Sequence, residues 1–300
     1  MKLSLSSDHM ILNLQFRGNY WSNSNLKNEF IRFLNHTFGL DLSLWDRKGF
    51  WDNCYRPFSY FSGDTLVSNV CIYSMDMTIK GMKCSVAQVS AVGTIPEYRR
   101  KGLSQQLMQT AINWAKDKHE FFYLFADKEA FPFYKKSGFR LTDEYKARIT
   151  GPLMTPRPGA IKLDMQRADH IELVHRVASD REPVSNILGV TNSNLFMFWC
   201  LYSLREYIYY IPELDILVLY KREKGMVTIF DIVGKSVPTF AEIIPYICKS
   251  QDEAVKFLFM VDKLGLGNID YIKVRGNGTH LFGNFPIEAP QFIFPLTSHA

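Results

Sequence analysis

Seven consecutive residues, Arg99-Arg100-Lys101-Gly102-Leu103-Ser104-Gln105, place three cations and one glycine at the start of an apolar-periodic run. The chemistry this stretch offers is the holding of a phosphate group. A helix start leaves its first backbone N–H groups without intrahelical acceptors, and the helix dipole adds partial positive charge at that end. A residue without a Cβ lets the backbone come close to a bulky anion, and fixed cations complete the site. A short basic loop alone is weak evidence, so the flanking elements matter.

Those elements can be read on both sides. Val86 to Val92 is small and apolar and reads as a strand, which Gly93 and Pro96 interrupt. Beyond the loop, Leu103, Leu107, Met108, Ala111, Ile112 and Ala115 fall on one helical face. Phe121 to Ala126 follows as another hydrophobic strand. Upstream, Ser62-Gly63-Asp64 is a turn, Thr65 to Met77 reads as a strand, and Lys80-Gly81 turns the chain back into Met82 to Val92 as its antiparallel neighbour. If the sheet opens where this last strand ends, the backbone of Val92, Gly93 and Thr94 is free to pair with an amide-bearing ligand as another strand would.

This segment resembles the acyl-CoA-binding motif of the GNAT superfamily of N-acetyltransferases: Arg or Gln, two residues, Gly, one residue, then Gly or Ala. Arg99 and Gly102 match, and Ser104 departs from the last position while remaining small. A second feature runs from Ala126-Asp127-Lys128-Glu129-Ala130 to Phe133-Tyr134-Lys135-Lys136-Ser137-Gly138-Phe139. Many members read Asn, Ala three residues later, then Tyr-x-x-x-Gly-Phe. Asp127 stands in the Asn position, whereas Ala130, Tyr134, Gly138 and Phe139 match.

The resemblance covers residues 1–150 and implies an α/β (α+β) fold, a mixed, mostly antiparallel sheet flanked by helices. It implies acetyl-CoA as cofactor, with Val92, Gly93 and Thr94 pairing with the pantetheine arm. Arg99, Arg100, Lys101, Gly102, Leu103, Ser104 and Gln105 would hold the pyrophosphate, mainly through backbone N–H groups, and Arg100 or Lys101 would meet the 3′-phosphate. Tyr134 becomes the general acid that protonates the leaving thiolate. The region after the first helix helps form the acceptor pocket in this family, which points to Trp45, Trp51 and Tyr55 in the aromatic, irregular stretch from Leu40 to Tyr60. Gln88 and Ser90 occupy the strand where some members carry Glu. Neither is a competent base, so deprotonation is expected to pass through water; Glu97, beside Pro96, reads as solvated.

Composition is consistent with a small anionic cofactor. Residues 1–150 carry 20 Lys and Arg against 14 Asp and Glu, a balance of +6; residues 151–300 carry 15 against 16, a balance of −1. The basic half is the half with the phosphate-type loop, yet its surplus is modest for a nucleic-acid binder and no groove-reading element is present. The five cysteines are scattered and lack close pairs, which suggests neither a disulfide framework nor a zinc site. No segment approaches 18 uninterrupted apolar residues and no targeting pattern opens the chain, so a cytoplasmic protein is expected, with neither nucleic acid nor membrane as partner.

In the rest of the chain, Met10 to Phe16 reads as a first strand. Ser24 is placed to cap a helix carrying Leu26, Phe30, Phe33, Leu34 and Phe38, which Gly39 ends. Residues 151–160, with Gly151-Pro152 and Pro156-Arg157-Pro158-Gly159, read as a linker. Helices at Ile171–Leu188 and Asn194–Leu204, an antiparallel meander, a helix at Thr239–Ile247 and further strands, among them Phe292–Pro295, fill residues 161–300. That order repeats the first half, so a second, degenerate GNAT-like domain is expected, as in tandem members of the superfamily. Where its phosphate loop would stand, Val233-Gly234-Lys235-Ser236-Val237-Pro238 has no Arg-x-x-Gly, and no coenzyme A is expected there. Gly234-Lys235-Ser236 is not a nucleotide loop, because Ile229 stands where its first glycine is needed. His170 and His175 are spaced by five, which does not place two imidazoles on one helix face for zinc.

The expected function is transfer of an acetyl group from acetyl-CoA to a primary amine by direct attack in a ternary complex. A small amine, an amino sugar or a peptide amine fits as acceptor, and the oligomeric state is left open. The alternative is a non-catalytic acyl-CoA sensor or scaffold. The chain also resembles the enhanced-intracellular-survival family of aminoglycoside acetyltransferases, which joins two GNAT-like halves. Members of that family continue into a third, sterol-carrier-like domain for which this length leaves no room, so their substrate does not carry over.

Overall fold

In chain order, β1 (Leu14–Gly18), α1 (Ser24–Phe38), α2 (Ser43–Arg47), β2 (Tyr55–Ser62), β3 (Thr65–Ile79) and β4 (Met82–Thr94) lead to α3 (Leu103–Ala115). β5 (Phe121–Phe125), α4 (Phe131–Lys136), β6 (Arg140–Leu141), β7 (Tyr145–Thr150) and β8 (Ile161–Lys162) follow. The remainder holds α5 (Ala168–Ser179), β9 (Leu188–Val190), α6 (Ser193–Leu201), β10 (Ile208–Ile211), β11 (Ile216–Glu223), β12 (Met226–Gly234), α7 (Phe240–Ile247), β13 (Ala254–Phe257), β14 (Asp270–Lys273) and β15 (Thr279–Gly283). The structure is a computed structural model that describes residues 13–151, 154–275, 278–287 and 292–300. Residues 10–12 of the expected first strand and residues 152–153 of the expected linker lie outside these.

Two compact units divide the chain. The first comprises the chain up to Met75, Ser85–Leu141 and His280–Asn284; the second comprises Asp76–Cys84, Thr142–Thr279 and Phe285–Ala300. The expected boundary at residue 150 differs from this division. β7 pairs antiparallel with both β13 and β14, and β15 pairs with β6. Partners more than a hundred residues apart give a linear reading no local sign of the exchange.

The first unit is organised by one sheet of strand order β1-β2-β3-β4-β5-β15-β6. β4 and β5 run parallel and are joined through α3. The α3 residues expected to share a face, Leu103, Leu107, Met108, Ala111, Ile112 and Ala115, are all buried, packed with Ala87, Val89, Phe122 and Leu124. α1 is capped by Asn23 rather than Ser24, because Asn23 Oδ1 accepts from the Leu26 N–H at 3.1 Å. Gly39, with φ +68°, ends the helix in the left-handed region. The aromatic stretch expected to be irregular contains α2 and β2. β2 has buried residues at consecutive positions, so it lacks the alternation that would reveal a strand.

The second unit repeats part of that order: two antiparallel strands, β11 and β12, then α7, then β13 parallel to β12. Its sheet runs β14-β7-β13-β12-β11-β10-β8 around a core that includes Ile229, Ile243, Ile244, Phe257 and Phe259. The first of its expected helices stops at Ser179, and Leu188–Val190 forms instead a short strand against Met77–Ile79. Phe292–Pro295, expected as a strand, is assigned no strand.

One buried acid ties this unit's tail to its sheet. Glu144 accepts from Thr279 Oγ1 at 2.7 Å and from the Phe294 N–H at 2.6 Å, and burial pushes its carboxyl up to about 7. A folded-state pKa raised above the unfolded value gives stability that is complete below about pH 4.5 and lost as pH rises through 7. Thermal unfolding is expected to show a loss of roughly 3 kcal/mol across that window. Glu144→Gln is expected to abolish that slope; an unchanged slope would contradict the assignment.

Candidate active site

The loop after β4 is built to leave donors open. Arg100 and Gly102 both take positive φ, +60° and +77°, which turns the chain into α3 without a side-chain cap. Among the described residues, the N–H groups of residues 100–105 find no acceptor within the protein, and the first helical bond is Gln106 N–H to Gly102 C=O at 3.1 Å. A Cβ on Gly102 would meet nothing within 4 Å, so the space beside it is open. Arg100 and Lys101 are exposed, and Lys101 Nζ lies 4.9 Å from the Tyr98 ring centre. The expected donors are therefore together, at a helix start of positive potential.

Arg99 and Ser104 serve geometry. Arg99 Nε donates to Thr94 C=O at 2.9 Å, closing the loop on the strand it left. Ser104 Oγ lies 2.6 Å from Thr94 Oγ1, which lies 2.7 Å from Ser68 Oγ. This hydroxyl chain fastens the end of β4 to the first turn of α3, so the serine that departs from the family pattern has a bonding role. Gly93 answers a packing demand: a Cβ there would sit 2.9 Å from Phe38 Cζ and 3.0 Å from Thr37 Cγ2, so its missing side chain makes room for the end of α1.

The sheet opens where this loop requires it. β4 pairs with β5 only over Val86–Gln88, leaving Val92, Gly93 and Thr94 beyond the last paired residue on that side. Ala91, with φ +48°, also lies beyond the last residue paired with β5.

α4 brings Tyr134 to the same region. Gln105 Nε2, in the first turn of α3, donates to Ser137 Oγ at 3.1 Å, and Ser137 lies one turn after Tyr134. The Tyr134 ring is edge-on to Phe133 and Phe139 and 5.7 Å from the His280 ring, and it belongs to the same core cluster as Leu103 and Leu107. Its hydroxyl makes no hydrogen bond to a described residue, and it is not among the enclosed polar atoms that lack a partner. Burial first, and the Asp127 charge second, push its pKa up to about 12, which keeps it protonated. His280 reaches this helix from β15 and was not legible locally.

The aromatic residues expected on the acceptor side pack together. Trp45 and Tyr55 are buried at 3% and 6% exposure. Both lie against Trp51, with ring centres 5.5 and 5.8 Å away. Trp51 is partly exposed and lies under Lys27 Nζ at 4.5 Å, but its indole N–H is enclosed and has no acceptor. Gln88 and Ser90 are buried on β4, which carries no carboxylate from Met82 to Thr94.

The second unit treats the corresponding place differently. α7 has a full capping box: Thr239 N–H donates to Glu242 Oε2 at 2.8 Å, and the Phe240 N–H is taken by Leu264 C=O. β12 and β13 pair only as far as Ile229 and Phe257. Beyond that point, the Leu296 N–H bonds to Leu258 C=O and Thr297 Oγ1 donates to the buried Asp231. The protein's own segment occupies this opening, and the helix start is capped. A separate cavity of about 420 Å³ in this unit is lined by Lys162, Glu206, Tyr209, Tyr220, Arg222 and Lys249, among others. Most of its cations are paired, Lys162 with Glu206, Lys221 with Glu223 and Arg222 with Asp252.

The first unit thus brings together an opened parallel strand pair, an uncapped basic helix start and a tyrosine helix bonded to that start. Residues 23–142 match the family described as acetyltransferase (GNAT) domain. Among solved structures, the chain is similar to Eis1 from Mycobacterium abscessus, at 15% identity and TM-score 0.57, over 90% of this chain and 73% of that one. A probable N-acyltransferase from Enterococcus faecalis V583 shares 16% identity and TM-score 0.57, over 89% and 72%. A GCN5-related N-acetyltransferase from Kribbella flavida aligns at 16% identity and TM-score 0.53, over 89% and 71%. No curated protein sequence matches significantly. The two mostly antiparallel sheets flanked by helices resemble the two-domain Eis fold.

Proposed function

We propose that the protein transfers an acetyl group from acetyl-CoA to a primary amine by direct attack in a ternary complex. The observation that carries this reading is the uncapped start of α3, whose free N–H groups and exposed cations face open space beside an unpaired stretch of β4. N–H groups of residues 100–105 fit a diphosphate, and the backbone of Val92, Gly93 and Thr94 fits an amide-bearing arm. Acetyl-CoA supplies an activated thioester. Tyr134 holds a proton at Oη for the departing sulfur. Because a phenol near 12 lies above an ordinary thiol at about 8.5, its first contribution is a hydrogen bond that strengthens as charge builds on sulfur. With no carboxylate on the strand, the amine loses its proton to water. The second unit reads as a degenerate GNAT-like domain that binds no coenzyme A, because its helix start is capped and its strand opening is filled.

Calorimetry with acetyl-CoA is expected to give one site per chain. Absence of binding would remove the proposal, and two sites would refute the reading of the second unit. Thiol release over a panel of amines then tests the chemistry: binding without turnover on any acceptor would indicate a sensor.

A further inference from the structure

Asn69 is a fully buried amide in the middle of the apolar strand β3, and its side chain reaches across to β4. Its Nδ2 donates to Ala91 C=O at 2.9 Å and lies 3.3 Å from Cys71 Sγ. Its Oδ1 accepts from Ser59 Oγ at 2.7 Å, and Ser59 Oγ lies 2.8 Å from Tyr20 Oη. The orientation of the amide is set by chemistry, because a backbone carbonyl only accepts and the NH₂ must face Ala91. Ser59 gives its proton to Asn69, so Tyr20 donates to Ser59. The result is a one-way chain, Tyr20 to Ser59 to Asn69 to Ala91. Ser59 and Asn69 are 0% exposed and Tyr20 is 6% exposed. Such a chain is cooperative and stiff.

The carbonyl it grips belongs to Ala91, whose φ is +48°. A left-handed alanine costs about 1–2 kcal/mol, so this conformation persists only where neighbours hold it. The peptide after Ala91 is trans, as the described backbone has no cis bonds, so the Val92 N–H points opposite to the Ala91 carbonyl. Asn69 lies on β3, on one side of β4; the other side is where β5 has ceased to pair. Holding the carbonyl toward Asn69 therefore turns the Val92 N–H into the opening.

Resting on the acetyl-transfer reading, we infer that Asn69, backed by Ser59 and Tyr20, is a positioning residue that aims the Val92 N–H at the carbonyl oxygen of the thioester. A preset donor of this kind stabilises the charge that develops on that oxygen, and displacement of about 1 Å costs on the order of a hundredfold in rate.

Three measurements test this. Asn69→Ala is expected to lower kcat about a hundredfold, to leave acetyl-CoA affinity nearly unchanged, and to move the infrared carbonyl stretch of the bound thioester up toward its free value. Asn69→Asp accepts from Ser59 but donates to Ala91 only when protonated, so its kcat should recover as pH falls, a profile that a packing defect would not produce. Unchanged kcat and carbonyl frequency in Asn69→Ala, or a flat profile in Asn69→Asp, would overturn the inference. Should Asn69→Ala not fold, Ser59→Ala carries the same test, with a frequency shift in support and an unmoved frequency against. Failure of the unaltered protein to bind acetyl-CoA would instead sink the acetyl-transfer reading itself.

Discussion

Tyr134→Phe is expected to lower kcat by about 10²- to 10⁴-fold while acetyl-CoA affinity stays nearly unchanged. The substitution removes one oxygen from a ring packed against Phe133, Phe139 and His280, and that oxygen has no hydrogen bond to a described residue. The core therefore loses no bond. What is lost is the phenolic proton proposed to reach the departing sulfur. With its pKa pushed up to about 12, Tyr134 stays protonated through neutral and mildly alkaline conditions. Its ionisation should thus produce no fall in kcat between pH 7 and 10. Steady-state kinetics over that range, paired with calorimetry on the variant, checks both halves. Unchanged turnover would remove Tyr134 as the acid; lost binding would show that the hydroxyl serves to hold the cofactor.

Gly102→Asp is expected to weaken acetyl-CoA binding by about a hundredfold or more, close to 3 kcal/mol. At φ +77° a side chain is strained, but aspartate is among the residues that tolerate this region best, at a cost of about 1 kcal/mol. No protein atom lies within 4 Å of the new Cβ, so the fold should survive with a small drop in melting temperature. The carboxylate would lie where the diphosphate is held and would repel it. Gly102→Asn serves as the control: it has the same shape and strain without the charge, and it should retain more affinity than Gly102→Asp. Equal loss in both variants would mean that bulk, and not charge, governs the site. Full affinity in both would show that the diphosphate is held elsewhere.

Local sequence determined much of this protein. The six apolar residues of α3, the glycine before it, the basic loop and the strand leading in are contiguous, and helical periodicity or the Gly102 turn makes them visible without any partner. The match of Ala130, Tyr134, Gly138 and Phe139 was equally legible, because a short helix and its turn are encoded within a few residues.

Tertiary structure alone decided the rest. Asn69 showed only as a polar residue inside an apolar strand, and its bond to Ala91 depends on how β3 and β4 align. The role of Ser104 needed Thr94 in place, and Gly93 needed the end of α1. Trp45 and Tyr55 read as binding-loop residues because an aromatic run has the same composition whether it lines a pocket or packs a core; only their mutual contacts showed them buried. The exchange of β7 and β15 between the units, and the filling of the second strand opening by residues 296 and 297, are set by pairings across long sequence separation. Periodicity reports which face a residue presents, but not which strand lies opposite. The open, basic helix start was therefore readable from the chain, while the side chains that fasten and surround it were fixed only when the sheet formed.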